Sequence, residues 1–584
     1  HRRTVPRRLQ VYPRRQKSGP GPAWAHATLA PVPSLSTRTE GDVTLAGLQS
    51  QERTMILGVV SDITQRMLPA EKLRQLDADE TFPEDVIRAL LAPDIGLQLL
   101  FIPEEYGGLG GGARDVAAVS EQLGKVCLGV ATGFFAIHLG TDPILAAGTD
   151  AQKKKWLGRL AEGRSIVAYA VTEPEAGSNL SNLKTTATPV KDDQGAITGY
   201  RLAGTKQFIS NGGVADFLTV LAVTPEGPSF FVVEKDTPGL TAGKPEEKHG
   251  IRASNTTALS FDDVLVPAEN LLGEVPGQGL VQANEVFGYT RLMVGAMALG
   301  AGIAALEKVI AYAKERVQFG SPLVDKQGYT HKLIIPFVAK LEAARAYIEE
   351  VAARLDAGES DLQLEGSLAK LFATETANAC ADAAIQALGG YGYTREYDVE
   401  KIKRDVKITT IYEGTSEIQQ LIISTLRWRS TVSSKGEVYG EMARQMDAIH
   451  ESHPDLKADT LAAILRLLNT LFAEVHKAKA TRQQHVMFQL AALASTTETA
   501  GALARKVAQG GDGASGSGER LQLCARIDAA LAAQSASNIA SEILHGTGIW
   551  SPAEADAILH CSPVDWARSQ SGVITDMDAL RARL

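Results

Sequence analysis

One carboxylate, Glu413, stands between a tyrosine and a glycine in IYEGTSEIQ (411–419), where an apolar run turns helical. A carboxylate so placed can cap a helix or take a proton. Thr410 and Glu413 have the three-residue spacing of a capping box, but that box would set Gly414 inside the first helical turn. Glycine there costs about 1 kcal/mol relative to alanine. A helix beginning after Gly414, capped by Thr415, avoids the cost and leaves Glu413 to project into a cavity.

Four more stretches carry ligand-binding residue types. YAVTEPEAGSNLSNLKT (169–185) exposes hydroxyls and backbone N–H groups around Pro174, Gly177 and Ser178, which suit a polar ring edge or a phosphate, or simply form a surface turn. GTKQFISNGG (204–213) reads as a strand running into a turn, with Phe208 and Ser210 on it. In RVQFGSPLVDKQ (316–327), Arg316 can pair with a phosphate and Gln327 with a ring edge; a lone arginine at a helix end is otherwise a solvated charge. QALGGYGYTREYDVEKIKRD (386–405) has glycines that let backbone approach a ligand closely. Neither it nor EEYGGLGGGARD (104–115) makes a strand–GxGxxG–helix unit, so a Rossmann nucleotide site is not expected.

The elements that must position these residues follow from periodicity. Residues 55–164 read as a helical domain, with Val86, Leu90 and Leu91 on one face and Val116, Val119 and Leu123 on another. Residues 165–275 switch to short β-rich runs such as FLTVLAV and FFVVE separated by NGG, EGP and TPG turns. Helical periods return at 276–430, as in HKLIIPFVAKLEAARAYIEEVAARL (331–355), and again at 431–584, where Leu461, Ile464, Leu468, Leu471 and Val475 share a face. GGDGASGSG (510–518) is a linker by composition. Strands do not alternate with helices, so a doubly wound sheet is disfavoured.

Composition narrows the classes. The chain has 584 residues, 44% hydrophobic and 22% charged, long enough for several cores, and no run of apolar residues is expected to span a bilayer. A net charge of −9 gives no overall attraction to nucleic acid, and residues 431–584 hold 14 basic against 17 acidic residues. Four cysteines without CxxC spacing argue against a disulfide framework or a metal site and for a reducing compartment. Residues 1–54 are expected to lie outside the packed core. Their first 39 hold eight Arg or Lys and no acid, which reads as an organelle-targeting presequence or as an upstream extension or cloning remnant. The second is preferred because the chain begins with His and its first methionine is Met55.

Taken together, AVTEPEAGSN, NGG, RVQFG, QALGGYGYTREYDVEKIKRD and IYEGTSEIQ, in this order, resemble the acyl-CoA dehydrogenase family over about residues 60–428. The resemblance implies a mainly α fold with a central β domain: an N-terminal helical domain, a β-barrel-like middle domain and a C-terminal four-helix bundle, here followed by an extra helical domain. It implies FAD, with an acyl-CoA thioester against the flavin. Tyr169, Val171, Thr172, Gly177 and Ser178 then match flavin contacts, and Phe208 and Ser210 flank the isoalloxazine, Phe208 standing where many members have tryptophan. Arg316, Gln318, Phe319 and Gln327, with Gln386, Leu388, Gly389 and Gly390, match positions on the dinucleotide. The run at 386–390 reaches the cofactor of a neighbouring subunit, so an oligomer is implied. Thr415 and Glu417 match further FAD contacts at a helix N-terminus. Ser178, Ser254, Tyr289, Arg291, Tyr412 and Gly414 match substrate-side or base-supporting positions.

By the same resemblance Glu413 is the base that removes the α-proton while flavin N5 takes the β-hydride, giving trans-2-enoyl-CoA as in fatty-acid β-oxidation. No carboxylate occurs at Gly288–Arg291, where some members place the base. An ordinary glutamate, with a pKa of about 4.3, is a weak base for this proton. Burial against acyl chain and flavin raises it, and hydrogen bonds to the thioester oxygen stabilise the developing enolate. Electrons then pass to an electron-transferring flavoprotein; the alternatives are an acyl-CoA oxidase, or a DNA- or complex-associated member of the fold.

Two departures stand out. Asn179 replaces the usual Asp, which is expected to alter local hydrogen bonding and to keep FAD. Residues 431–584 resemble the extension of the very-long-chain subgroup, where a second helical domain replaces half of a tetramer's contacts; a dimer is favoured over a tetramer. The extension could also touch a membrane peripherally. The expected location is a bacterial cytoplasm, or else a mitochondrial matrix.

Overall fold

The computed structural model describes residues 47–510, 517–561 and 564–584. The Arg-rich segment and most of the stretch 510–518 lie outside the described residues. Among the described residues six α-helices come first: α1 (Ser50–Met67), α2 (Ala70–Ala78), α3 (Glu84–Leu91), α4 (Ala113–Val126), α5 (Leu128–Ala147) and α6 (Asp150–Ala161). The stripes on α3 and α4, from Val86 to Leu91 and from Val116 to Leu123, supply buried core residues as their spacing requires.

Seven strands follow: β1 (Val167–Ala170), β2 (Thr186–Lys191), β3 (Ile197–Ser210), β4 (Phe217–Thr224), β5 (Gly227–Glu234), β6 (Leu240–Ala242) and β7 (Thr256–Pro267). They join in the order β1-β4-β2-β3-β7-β6, with β5 on β4. β1 runs parallel to β4, whereas the β2–β3, β3–β7, β4–β5 and β6–β7 pairs are antiparallel. β4, FLTVLAVT, is buried along nearly its whole length and so on both faces. Phe217, 5.1 Å from Trp156 of α6, packs toward the helices. Leu218 and Val220 join Tyr200, Leu202, Phe231 and Phe261 in a second core on the other face.

The third part holds α7 (Gly279–Glu315), a hairpin of β8 (Val317–Gln318) and β9 (Ser321–Pro322), then α8 (Gln327–Leu333), α9 (Ile335–Asp356), α10 (Gln363–Leu388), α11 (Val399–Val406) and α12 (Ser416–Ser433). The run 331–355, read as one helical period, is broken at Ile334, with φ −125° and ψ −62°. Pro336 explains the break, because its ring disfavours helical backbone in the preceding residues. α7 lies tight on α4: a Cβ on Gly124 would come 2.3 Å from the Met297 carbonyl oxygen, and one on Gly300 2.0 Å from that of Glu121. Only glycine permits that approach.

The extension comprises α13 (Glu437–Ser452), α14 (Ala458–Lys477), α15 (Gln484–Ala508), α16 (Ser517–Gly546), α17 (Pro552–Cys561), α18 (Trp566–Ser569) and α19 (Val573–Arg581). The Leu461–Val475 stripe of α14 is buried. α15 packs on α9 and α12, and α16 on α9. Two helical segments, Leu128–Ala147 and Tyr289–Glu315, are long and apolar enough to cross a membrane by length and composition, although each is interrupted by charged residues. Each is 78% buried by protein, the setting of a core helix, so apolarity here reflects packing.

Candidate active site

α12 begins at Ser416, and Thr415 caps it by accepting a hydrogen bond from the Ile418 N–H at 3.4 Å. The alternative box does not form, because the Thr410 hydroxyl donates to the Lys407 carbonyl at 2.9 Å. Glu413 and Gly414 are both left-handed, with φ 54° and 88°. That backbone is free for glycine but strained for glutamate, and persists only where neighbours hold it. Gln419 Nε2 donates to the Glu413 and Gly414 carbonyls at 3.0 Å each. Lys370 Nζ on α10 donates to the Gly414 carbonyl at 2.6 Å.

The Glu413 side chain accepts from the Thr290 hydroxyl of α7 at 3.2 Å. It lies deep among protein atoms yet keeps part of its surface accessible. Loss of water raises its pKa above the ordinary carboxylate value, against the pull of Lys370, the Thr290 hydrogen bond and Arg291; Asp142 adds to the rise. Lys370 has no exposed surface, and burial brings its ammonium down to about 7. Arg291 is buried too, brought down to about 10 by desolvation, and donates to Ser367 Oγ at 3.2 Å.

The segment 169–178 rests on a buried ion pair that motif reading missed. Lys206 Nζ lies 2.7 Å from Glu173 Oε1 and donates to the Val171 carbonyl at 3.0 Å. Glu173 also accepts the Lys184 and Thr185 N–H groups at 2.6 and 3.1 Å. Burial lowers Lys206 to about 8. The Gln207 N–H donates to the Thr172 carbonyl at 2.9 Å, tying β3 to this segment. Tyr169 packs its ring 5.8 Å from that of Phe230, Val171 is buried, and Gly177 and Ser178 are exposed at the rim. Asn179 Oδ1 accepts from the Ser181 N–H at 3.1 Å, an acceptor role an aspartate would also fill.

Phe208 is left-handed, φ 58°, at a register shift between β3 and β7, and 63% exposed. Ser210 ends β3 opposite Thr256. Asn211 of the NGG turn is structural, donating to the Gly133 carbonyl of α5 at 2.8 Å. Ser254 is buried, and its hydroxyl donates to the Ile251 carbonyl at 2.7 Å. Tyr289 and Tyr412 are half-buried beside Thr290 and Glu413.

Arg316, Gln318, Gln386, Leu388, Gly389 and Gly390 come together around a cavity of about 450 Å³. Arg316 holds its guanidinium 5.7 Å from the Tyr391 ring centre in the same place. A Cβ on Gly389 or Gly390 would touch nothing within 4 Å, which leaves an open backbone edge. Phe319 is 97% exposed on the neighbouring hairpin. Gln327 does not join them: its amide donates to Asp578 of α19 at 2.8 Å, a partner supplied by the extension. Glu417 lies exposed in the first turn of α12, its pKa lowered by the backbone N–H and by Thr415. An exposed aromatic, a guanidinium and open glycine edges suit a long molecule with a flat ring and phosphates, as FAD is.

Models of the acyl-CoA dehydrogenase N-terminal, middle and C-terminal domains match residues 50–164, 168–264 and 277–425. An acyl-CoA dehydrogenase of Bacillus subtilis is 39% identical over 383 residues, covering 64% of this chain and 97% of that protein. A chain in a solved structure described as electron transferring flavoprotein of Acidaminococcus fermentans, from work on flavin-based electron bifurcation, is 34% identical with a TM-score of 0.61, covering 65% of this chain and 98% of that one. The solved acyl-CoA dehydrogenase of Bacillus anthracis complexed with FAD is 27% identical with a TM-score of 0.79, covering 93% of this chain and 97% of that one, so its match includes the extension. Three domain models matched in chain order and a relative covered almost end to end lead to one conclusion: this chain belongs to the acyl-CoA dehydrogenase family of FAD-dependent oxidoreductases.

Proposed function

We propose that the protein converts an acyl-CoA thioester to its trans-2-enoyl-CoA with Glu413 as the base, and that its electrons go to an electron-transferring flavoprotein. The observation that carries the reading is the mounting of Glu413: two successive left-handed residues hold its carboxylate outside α12, where burial raises its proton affinity. FAD, when bound, supplies the hydride acceptor. Tyr169, Val171, Thr172, Gly177, Ser178, Phe208 and Ser210 would hold the flavin, and Thr415 and Glu417 would add contacts at the start of α12. Arg316, Gln318, Phe319 and the run Gln386–Gly390 would hold its dinucleotide end. Tyr412 and Gly414 would flank the thioester, and Ser254, Tyr289 and Arg291 would support its side of the site.

The work for this chain is to position an α-carbon beside Glu413, exclude water, and keep the carboxylate basic enough to take the proton. The extension supports a dimer of the very-long-chain type, because α15 and α16 cover the α9 and α12 surface that another pair of subunits would otherwise need. A bacterial cytoplasmic location is part of the same proposal.

The test is flavin reduction by straight, branched and aromatic acyl-CoA panels in wild type and Glu413→Gln. Loss of a general base predicts a fall in rate of about 100- to 10,000-fold in the variant. A flavin that stays oxidised in wild type with every thioester overturns the function; equal rates in the variant overturn the base alone. Rapid reoxidation in air with release of peroxide would make the enzyme an oxidase.

A further inference from the structure

α5 is almost wholly interior, with Phe134, Phe135 and Ile137 in the core, yet it carries two ionisable side chains one turn apart, His138 and Asp142. They are 2% and 8% exposed and pair with each other, His138 Nε2 to Asp142 Oδ1 at 3.2 Å. The imidazole is fixed from two sides: it stacks on Phe101 with ring centres 4.3 Å apart and meets the Tyr289 ring edge-on at 5.3 Å. Each residue therefore uses one polar atom on the other. The second atoms, Asp142 Oδ2 and His138 Nδ1, are buried without a hydrogen-bond partner.

The pair is linked to Glu413 through Tyr289. Tyr289 precedes Thr290, whose hydroxyl reaches the Glu413 carboxylate. The charge of Asp142 opposes ionisation of Glu413, Tyr169 and Tyr289. The Tyr412 hydroxyl, next to Glu413, faces Thr132, which is again on α5. A pocket for plain hydrocarbon would be lined by apolar atoms, since a buried carboxylate oxygen or imidazole nitrogen without a partner is costly. The group that satisfies Asp142 must donate a hydrogen bond. An anionic acyl tail is disfavoured, because it would bring a third carboxylate beside Glu413 and Asp142.

Resting on the dehydrogenase reading above, we propose that the acyl portion of the substrate carries a hydrogen-bond donor, a hydroxyl or an amino group beyond the β-carbon, received by Asp142 and His138. Asp142 is thereby a specificity residue, and the chemistry at the α- and β-carbons stays with Glu413 and the cofactor.

The test uses the FAD-loaded full-length enzyme with matched pairs of acyl-CoA thioesters, each straight chain against the same chain bearing a terminal hydroxyl, and an artificial electron acceptor. Wild type is expected to favour the hydroxylated member by roughly tenfold or more in kcat/KM, and Asp142→Leu to reverse that order. Asp142→Asn, which keeps an acceptor, is expected to retain part of the preference. Binding of unreactive thioether analogues, followed by calorimetry, should show the same preference without turnover. Preference of wild type for the plain chain, or an equal loss on both members in Asp142→Leu with FAD content and melting unchanged, overturns the proposal and leaves the dehydrogenase reading standing. A flavin that no thioester reduces overturns both.

Discussion

At the scale of the residue, Lys370 explains how a strained glutamate is held. Its ammonium has no exposed surface, and it meets the carbonyl of Gly414, the residue after Glu413, at 2.6 Å. It also holds down part of the rise in the Glu413 pKa. With its own pKa near 7, Lys370 is charged through the acid range in which Glu413 must lose its proton. A base with a raised pKa works above that value and loses activity as pH falls through it, so the acid limb of kcat/KM should lie above the usual carboxylate range. Lys370→Met removes the opposing charge, and its acid limb should move to higher pH, with kcat/KM at neutral pH down by about tenfold. A pH–rate profile of both proteins checks this; a smaller activity with an unmoved limb would leave Lys370 a structural anchor only. Glu413 and Thr415 were legible in the sequence because a cap and its glycine lie within a few residues of each other. Lys370 was not, because it reaches the loop from 44 residues away.

At the scale of the element, the start of α12 decides where the carboxylate points. Gly414 has φ 88°, and a Cβ there would come 2.6 Å from Gln419 Nε2, the group that ties both loop carbonyls. Gly414→Ala is expected to lose about 1–2 kcal/mol of stability in urea or thermal unfolding, from left-handed backbone alone. It should lower turnover as well, since Gln419 must move; a fully stable and active variant would show that the loop tolerates another backbone path. The strands were legible as β-rich runs between turn clusters. The division of α8 from α9 was missed because the helical period of the apolar residues continues across it, although Pro336 marked the place.

At the scale of the whole molecule, the extension is locked to the bundle by charge as well as by apolar packing. Arg427 of α12 and Glu498 of α15, 6% and 5% exposed, form a bidentate pair, with Arg427 Nε donating at 2.8 Å and a second bond from its terminal nitrogen. Tyr439 of α13 donates to the same carboxylate at 3.3 Å. Such a pair is weak evidence of stability as it stands, but removing one member strands the other charge. Arg427→Met is expected to destabilise the protein by about 3–5 kcal/mol, read from equilibrium unfolding. If instead the loss is negligible, the interface is held by its apolar contacts alone. α15 and α16 pack on α9, and the dimer proposed above predicts a dimer's mass in sedimentation.

What the sequence determined by itself is what short-range physics encodes. Hydrophobic period sorted helix from strand, Gly414 and Thr415 set the start of α12, and a set of ordered motifs pointed to a flavin site and a base. Tertiary structure alone decided the electrostatics of Glu413 and the chemistry of its surroundings. Lys370 beneath the loop, Thr290 at the carboxylate, the Lys206–Glu173 pair under the segment 169–178, and His138 with Asp142 beside Tyr289 come from separate helices and strands. The reason is that a pKa or an unpaired buried oxygen depends on which distant groups burial brings within a few ångströms, and no local pattern records that distance.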